Sequence, residues 1–370
     1  MAEALKNRYN RPFLQQITGA LAAVHPPFDS QHFTVRVFDA EWESRELKDR
    51  MRHITRCLGA CLPADYPEAL AILKKASDRL LKSPPKDMGF LGMFFPDFAE
   101  VYGLENPDLS LPALAHFTPL ASSEFAIRPF LMRYPAQSLA TLMLWAQHEN
   151  PHVRRLASEG SRPRLPWAMA LPAFKADPAP VLPILERLRD DPELYVRRSV
   201  ANHLNDISKD HPATVIATLR RWQAGAGPER QWIIRHATRS LIKAGHPEAL
   251  ELLGFSAGPR VELKQFSLSP RAISLGEHID FSFELHELAG HEQALVIDYV
   301  LHFMKANGRQ APKVFKLREK VLMPGAVISI QKRHVIRPIT TRAYYPGTQR
   351  LEIQVNGQAM GSLTFELNME

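Results

Sequence analysis

The segments VRRLA at 153–157, VRRSV at 196–200 and IRHAT at 234–238 share one order of apolar and basic positions. Their offsets of 43 and 38 residues are close to the period of HEAT-type helix pairs. The first two segments follow Asn150-Pro151 and Asp191-Pro192, which predicts helices that begin at the proline. Each pair in such a repeat buries one face against its neighbours, so the pattern predicts a helical solenoid.

The rest of residues 1–255 also has apolar residues at helical spacing, and we assign this range to one HEAT-like repeat domain. The spacing predicts one long amphipathic helix from Asp39 to Leu62 and another from Tyr66 to Leu81. The aromatic segment 89–102 is interpreted as packing between helices. The two cysteines, four residues apart at 57 and 61, are interpreted as reduced thiols on one helical face.

The sequence changes character after residue 255, where Val, Ile, Phe and Thr alternate with polar residues in short runs. Asn356-Gly357 between two such runs predicts a hairpin. About seven short strands are typical of an immunoglobulin-like sandwich, which we place at 261–370 after a linker at 255–260. Strand segments are expected at 261–269, 278–287, 294–305, 326–336 and 350–367. The predicted fold class is mainly α, a HEAT-like helical repeat solenoid followed by a C-terminal immunoglobulin-like β-sandwich.

Composition limits the function classes. The 370 residues include 46 Lys and Arg against 39 Asp and Glu, and 45% are hydrophobic, which excludes a collagen or a disordered scaffold. No apolar run approaches the ~20 residues of a membrane span, and the N-terminus lacks the apolar core of a signal peptide. We therefore expect a cytoplasmic protein with no membrane partner.

The positive charge is concentrated in the repeats, because residues 142–245 hold 16 basic and 10 acidic side chains. The repeat register places Arg155, Arg198 and His236 at equivalent positions on one helical face. Such a row is typical of contact with phosphate groups. The alternative is a solvated arginine face, which HEAT repeats of every function have.

The residues that could carry chemistry include an acid within this basic region. Glu159 lies among arginines just ahead of Trp167. A carboxylate opposes polyanion binding, so one reason for its presence is to stabilise a cation that forms there. The alternative is an ion pair with Arg155 worth only about 0.3 kcal/mol. Trp167 could contact a cationic base, although most tryptophans are packing residues.

Glu124 is a second acid, and its alternative interpretation is an N-terminal helix residue stabilised by the dipole. The sequence contains no phosphate-binding Gly loop, no Ser-His-Asp arrangement and no pair of metal-ligating histidines at zincin spacing. We expect neither a metal nor a cofactor.

The string HENPHVRRLASEGSRPRLPWA at 148–168, followed by VRRSVANHLNDISKDHP and IIRHATRSLIKAGHP, strongly resembles the bacterial HEAT-like-repeat DNA glycosylases of the AlkC and AlkD superfamily. The upstream GMFFPDFAEVYG and SSEFAIRPF and the added β-domain resemble the AlkC branch. The resemblance covers essentially the whole chain. The AlkD branch uses an aspartate as its carboxylate, and none occurs between Asp108 and Asp177, so the assignment of Glu159 rests on the AlkC pattern alone.

The resemblance implies a monofunctional enzyme that removes positively charged alkylated bases from double-stranded DNA without base flipping. 3-Methyladenine is the expected substrate, and whether 3-methylcytosine is also one stays open. The cationic base is already a good leaving group, so the protein need only stabilise an oxocarbenium-like sugar and position a water. A well-aimed carboxylate contributes on the order of 3 kcal/mol to such a transition state.

The resemblance also implies the site residues. It gives the catalytic carboxylate to Glu159, the aromatic wall to Trp167 and the second acid to Glu124. Arg155 would orient Glu159 or hold a phosphate, and Asp206 is a further catalytic candidate. The expected contacts with the DNA backbone are Arg154, Arg162, Arg164, Arg197, Arg198, Arg235, His236 and Arg239.

The β-domain is nearly neutral, with 13 basic and 11 acidic residues from 261 to 370. It could clamp DNA through residues 331–334 or the turn at 342–350, or it could cap the last repeat. We expect a monomer whose partner is double-stranded DNA with alkylated bases. Two alternatives stay open, a non-catalytic DNA reader and a protein–protein scaffold. Formation of an abasic product and affinity for DNA are the two measurements that distinguish the glycosylase, the reader and the scaffold.

Overall fold

The computed structural model describes residues 4–256, 258–339 and 342–369, and its helices precede its strands. Within these ranges, none of the helices combines the length and the apolar character that a membrane crossing requires. The helices are α1 (Arg11–Val24), α2 (Ser30–Val37), α3 (Leu47–Cys61), α4 (Tyr66–Lys82), α5 (Met88–Leu91), α6 (Phe94–Gly103), α7 (Pro107–Phe117), α8 (Ile127–Arg133), α9 (Pro135–Trp145), α10 (Pro151–Glu159), α11 (Pro172–Ala176), α12 (Leu182–Leu188), α13 (Leu194–Ile207), α14 (Pro212–Gln223), α15 (Pro228–Ala237), α16 (Arg239–Lys243) and α17 (Pro247–Leu252).

The chain divides into two compact units whose border does not follow the change from helices to strands. The first unit holds the residues up to His211 together with Ala226–Ala237. The second holds Pro212–Gly225 and the residues from Thr238 onward, so α14, α16 and α17 belong with the strands. The last described helix ends at Leu252 and the first strand begins at Val261, and the predicted domain limits at 255 and 261 stay a prediction. Ala257 of the predicted linker lies outside the described residues.

The first two repeat segments lie within α10 and α13, and the third lies in the last turn of α15 and the residue after it, which confirms the predicted helical repeat. Their apolar positions face the core, as with Val153 and Leu156 in α10. Helix α10 packs against α9, α12 and α13, and α13 packs against α15. These contacts bring α13 beside the residues of α10 that were expected to carry chemistry.

The two predicted helix starts have different outcomes. Pro151 is the first residue of α10, as predicted, and Asn150 caps it by accepting the His152 N–H. The prediction for Pro192 is wrong, because α13 begins only at Leu194. The carboxylate of Asp191 instead accepts the Glu193 N–H, which holds these residues in a turn ahead of the helix.

Two N-terminal predictions also differ in outcome. The predicted helix from Asp39 is wrong in its first third, because α3 begins at Leu47. The Asp39 carboxylate accepts the Glu41 N–H and pairs with Arg45, which stabilises a turn. The predicted helix from Tyr66 is confirmed as α4.

The aromatic segment 89–102 packs between helices as predicted, and Phe94, Phe95 and Phe98 are its buried rings.

The C-terminal strands form two sheets around one core, which confirms the predicted sandwich. The sheet orders are β1-β3-β6 and β2-β8-β7-β4-β5, and only the β2–β8 pair among them is parallel within the described residues. The predicted hairpin is confirmed, since Asn356 and Gly357 both have positive φ values, 48° and 77°. The strands are β1 (Val261–Ser269), β2 (Ala272–Ser274), β3 (His278–Glu287), β4 (Gln293–Met304), β5 (Gln310–Leu322), β6 (Val327–Val335), β7 (Gly347–Val355) and β8 (Gln358–Asn368).

The last helices and the sandwich share a packed contact within the second unit. Leu250, Phe255 and Val296 form one buried apolar cluster. A Cβ on Gly357 of the hairpin would lie 2.1 Å from the Cα of Gly245, so this backbone approach requires glycine. The sandwich therefore packs directly on α16 and α17.

Candidate functional site

A cavity of about 400 Å³ lies in the first unit and is lined by four of the five residues predicted to be catalytic. The acids come from different segments, Glu124 from the turn before α8 and Glu159 from the end of α10. Arg155 and the loop residue Trp167 complete the four. The other lining residues are Gly89, Phe90, Met93, Ser122, Phe125, Arg162, Leu165, Pro166 and Tyr195.

Arg155 connects the two acids. Its Nη1 donates to Glu124 Oε2 at 2.5 Å, and its Nη2 lies 3.4 Å from Glu159 Oε1. Ser122 accepts from the same Nη1 at 2.9 Å and donates to Glu124 at 2.7 Å. Burial lowers the pKa of Arg155, but Glu124 and Glu159 outweigh this effect and raise the pKa above its ordinary value. The side chain is therefore a permanent cation that holds two carboxylates on one wall.

Glu159 is fixed at both of its oxygens. Arg162 Nη1 donates to Oε1 at 2.6 Å, and Ser199 Oγ donates to Oε2 at 2.6 Å. The Glu159 side chain is only 7% exposed. Ser199 was not predicted from the sequence. Its position could have indicated a polar role, because serine stands in VRRSV where the first repeat has leucine at a core position. The arrangement leaves the Glu159 carboxylate little freedom to rotate.

Asp206 lies behind this cluster and does not line the cavity. Its Oδ2 accepts from Arg162 Nε at 2.9 Å, and the side chains of both residues are buried. Asp206 therefore contacts a residue of the cavity wall, Arg162, and its predicted catalytic role stays a prediction. The Arg162 guanidinium is buried between Glu159 and Asp206, and its predicted DNA contact stays a prediction. These acids also raise the pKa of Arg162 against the opposing effect of burial.

Trp167 is the exposed member of the site. Its side chain is 62% exposed, whereas Trp145 and Trp222 are buried. Its ring contacts the edge of Phe90 at a centroid distance of 5.9 Å. Its backbone has a φ of 64°, a left-handed conformation that bulky residues rarely adopt. The packing interpretation therefore does not apply to Trp167, and its indole is available to a ligand.

The arginines predicted to contact DNA fall into two groups. Some are bound by protein groups. Arg154 makes two hydrogen bonds to Asp191 and two to the carbonyls of His148 and Glu149, and its DNA contact stays a prediction. Arg164 pairs with Asp210, and Arg197 donates to backbone carbonyls before α13.

The other group lies nearer the solvent. Arg198 and Arg235 are exposed, and Arg239 is half-buried. The His236 ring stacks on Trp232 at 4.8 Å and lies 3.3 Å from Asn202 Oδ1. Their contacts with DNA stay predictions, as do those of Arg164 and Arg197.

Comparisons with known proteins cover both parts of the chain. A family model described as DNA alkylation repair enzyme matches residues 121–241, which include Glu124 and Glu159. Another, described as the C-terminal Ig-like domain of uncharacterised protein YhaZ, matches residues 262–369. Over 363 residues the chain is 40% identical to the uncharacterized protein YhaZ of Bacillus subtilis strain 168, covering 98% of this chain and 99% of that protein.

A solved structure extends the likeness to the whole fold. It is the alkylpurine DNA glycosylase AlkC of Pseudomonas fluorescens, bound to DNA containing an abasic site analog. The identity is 42% and the TM-score 0.93, over 99% of this chain and 100% of that chain. The chain belongs to the AlkC branch of the DNA alkylation repair enzymes. This confirms the resemblance and the predicted fold class. In this family member, Phe90 and Met93 of the cavity lie outside the range that the repair-enzyme model matches.

Proposed function

We propose that the protein is a monofunctional DNA glycosylase that hydrolyses the N-glycosidic bond of positively charged alkylated bases in double-stranded DNA. 3-Methyladenine is the proposed substrate, and 3-methylcytosine is a further candidate. The observation that carries the proposal is the acid pair Glu124 and Glu159, held by Arg155 beside the exposed Trp167. Its setting supports it, because the AlkC relative is bound to DNA with an abasic site analog, the kind of site that base loss leaves.

The proposed chemistry needs no proton donor. When the bond from C1′ to the ring nitrogen breaks, the electron pair moves to the cationic base, which leaves neutral. The positive charge then develops on the sugar, and water adds to C1′ and loses a proton to a carboxylate or to solvent. A carboxylate held close to the sugar lowers this barrier by about 3 kcal/mol, because its attraction grows as the charge develops.

The two acids suit different parts of this reaction. Glu159 is rigid and buried, which fits the fixed negative charge facing the sugar. Glu124 Oε2 is occupied by Arg155 and Ser122. Its Oε1 makes no hydrogen bond within the described part of the chain, so it can accept one from the attacking water. Trp167 would lie against the base or sugar, where an exposed indole attracts a cation. Because the indole is exposed and not enclosed, it can reach a base that remains stacked.

Single-turnover base release from methylated duplex DNA, without added metal, tests the proposal. The variant Glu159→Gln keeps the shape of the side chain and removes its charge. Glu149→Gln, at an exposed glutamate ahead of α10, is the matched control. The wild type and Glu149→Gln should release 3-methyladenine and leave abasic sites. Glu159→Gln should be slower by about 10²- to 10³-fold, a loss typical of one removed electrostatic group.

Three results would contradict parts of the proposal. A Glu159→Gln variant with the wild-type rate would remove Glu159 from the catalytic role. DNA binding by the wild type without base release would indicate a non-catalytic reader. The absence of both binding and release would favour the scaffold.

A further inference from the structure

Lys48 reaches the loop that carries Trp167 from a distant part of the sequence. It lies in the first turn of α3, outside the range matched by the repair-enzyme model. Its Nζ donates to the Trp167 carbonyl at 2.8 Å and lies 5.0 Å from the centroid of the Phe125 ring. Trp167 and Phe125 both line the cavity, so one cation touches two of its walls.

The loop at 160–171 is also bound by a second residue, Arg128. Arg128 is fully buried, and its Nη1 donates to the carbonyls of Gly160 and Arg162 at 3.0 and 2.9 Å. Its Nε donates to the Met169 carbonyl at 2.7 Å. These bonds fix the two ends of the loop, and within its tip the Ala168 N–H donates to the Leu165 carbonyl at 3.3 Å. At the tip, the carbonyl of Trp167 is bound by Lys48.

The tip needs such a bond because of its backbone. Trp167 has a φ of 64°, which costs free energy for any residue with a Cβ. A strained conformation of this kind persists only where the surroundings determine it. The exposed indole gains little from burial. The turn bond from the Ala168 N–H to the Leu165 carbonyl, the edge contact with Phe90 and the bond from Lys48 are the contacts that favour it.

We propose that Lys48 is a positioning residue for Trp167. It holds the Trp167 backbone in the left-handed conformation and so directs the indole to the cavity where the alkylated base would lie. The inference rests on the proposed function for its catalytic consequence. Its structural part, that the Lys48 ammonium group sets the position of the indole, stands apart from that function.

Two substitutions and a control test the proposal. Lys48→Met removes the donor and the charge but keeps the length of the side chain, and Lys48→Arg restores both. Because Lys48 is exposed, neither change threatens the core. The control Lys75→Met makes the same change at an exposed position on α4. Protein labelled with 5-fluorotryptophan reports the Trp167 environment by fluorine NMR, with the resonance assigned from Trp167→Phe.

The proposal expects Lys48→Met to shift the Trp167 resonance and to lower the single-turnover rate of base release at saturating protein. A misplaced group typically costs 10- to 100-fold, so we expect a loss of roughly 10-fold or more. Lys48→Arg should recover most of the rate. Affinity for undamaged duplex DNA should stay within about twofold in both, and Lys75→Met should resemble the wild type.

Other outcomes would overturn it. An unchanged Trp167 resonance with weaker DNA binding and a smaller salt dependence would make Lys48 a phosphate contact instead. A shifted resonance with a normal rate would show that the position of Trp167 does not affect catalysis. If the wild type itself releases no base, the proposed function fails, while the resonance still decides whether Lys48 holds the indole.

Discussion

Helices α10 and α13 carry the same Val-Arg-Arg sequence but use its second arginine differently. In α10, Arg155 lies beside the cavity, bound to Glu124 and close to Glu159. In α13, the equivalent Arg198 is exposed, and within the described residues the structure gives it no hydrogen bond or ion pair. The position of Glu159 is taken in α13 by the neutral Asn202, which lies near His236. An acid at this one register position, Glu159 in α10 against Asn202 in α13, is therefore what distinguishes the two helices.

Under the proposed function, one repeat register serves two purposes. An exposed arginine row suits a polyanion, and an acid in that row weakens such binding. An acid in that row is favourable only where a cation must be stabilised. Helix α13 also serves the site of α10 directly, because Ser199 donates to Glu159 and His203 lies 3.0 Å from the Ser158 carbonyl.

The largest expected effect is a difference in the free energy of unfolding between variants of Arg155 and Arg198. Arg155→Gln leaves Glu124 and Glu159 together on one wall with less compensating charge. Loss of one partner from such a buried cluster costs about 3 kcal/mol. Arg198→Gln, the matched control on α13, should change the free energy of unfolding by less than about 0.5 kcal/mol. Urea denaturation of both variants measures this, and equal effects would contradict the distinction.

Ser199→Ala should slow base release by roughly 10-fold, because a hydrogen bond to a charged group is worth about 1.5 kcal/mol or more. The control is Ser208→Ala, which removes a buried hydroxyl of the same chain segment that donates to the Asn205 carbonyl and not to Glu159. Single-turnover rates at saturating protein compare the two. A normal rate in Ser199→Ala, or an equal loss in Ser208→Ala, would count against a role for α13 in orienting Glu159.

The last expected effect concerns pH. Burial, with the Arg162 charge, lowers the pKa of His203 from 6.5 to about 3. Between these values the unfolded chain binds a proton that the folded chain does not, so the free energy of unfolding falls as the pH drops below 6.5. The loss between pH 7 and pH 5 should be on the order of 1 to 2 kcal/mol. His203→Gln should flatten this dependence in denaturation curves, and an unchanged slope would show that other groups cause it.

The periodic features of the fold could be predicted from the sequence. The repeat helices, the sandwich and the Asn356-Gly357 hairpin follow from local patterns of apolar, polar and turn residues. Local side-chain hydrogen bonds displaced two helix starts, at Asp39 and at Pro192, because a carboxylate that binds nearby N–H groups competes with the helix.

Residues of the site could be predicted from the sequence only where they lie in a recognisable motif. Glu124 and Glu159 lie in strings that resemble the family, and the structure places them together. Ser199 and Lys48 reach the site from 40 and 119 residues away along the chain, which no local pattern indicates. The burial of Arg162 could not be predicted, because it depends on Asp206, in another helix.

The central claim is that the acid of α10 provides chemistry and the arginine of α13 provides binding. Its most direct test is to measure, for Glu159→Gln and Arg198→Gln, both the affinity for duplex DNA and the rate of 3-methyladenine release at saturating protein. The account predicts a rate loss of about 10²- to 10³-fold with intact or tighter binding for Glu159→Gln. For Arg198→Gln it predicts weaker, less salt-dependent binding with a normal rate. A normal release rate in Glu159→Gln, or a rate loss in Arg198→Gln that saturation does not restore, would contradict it.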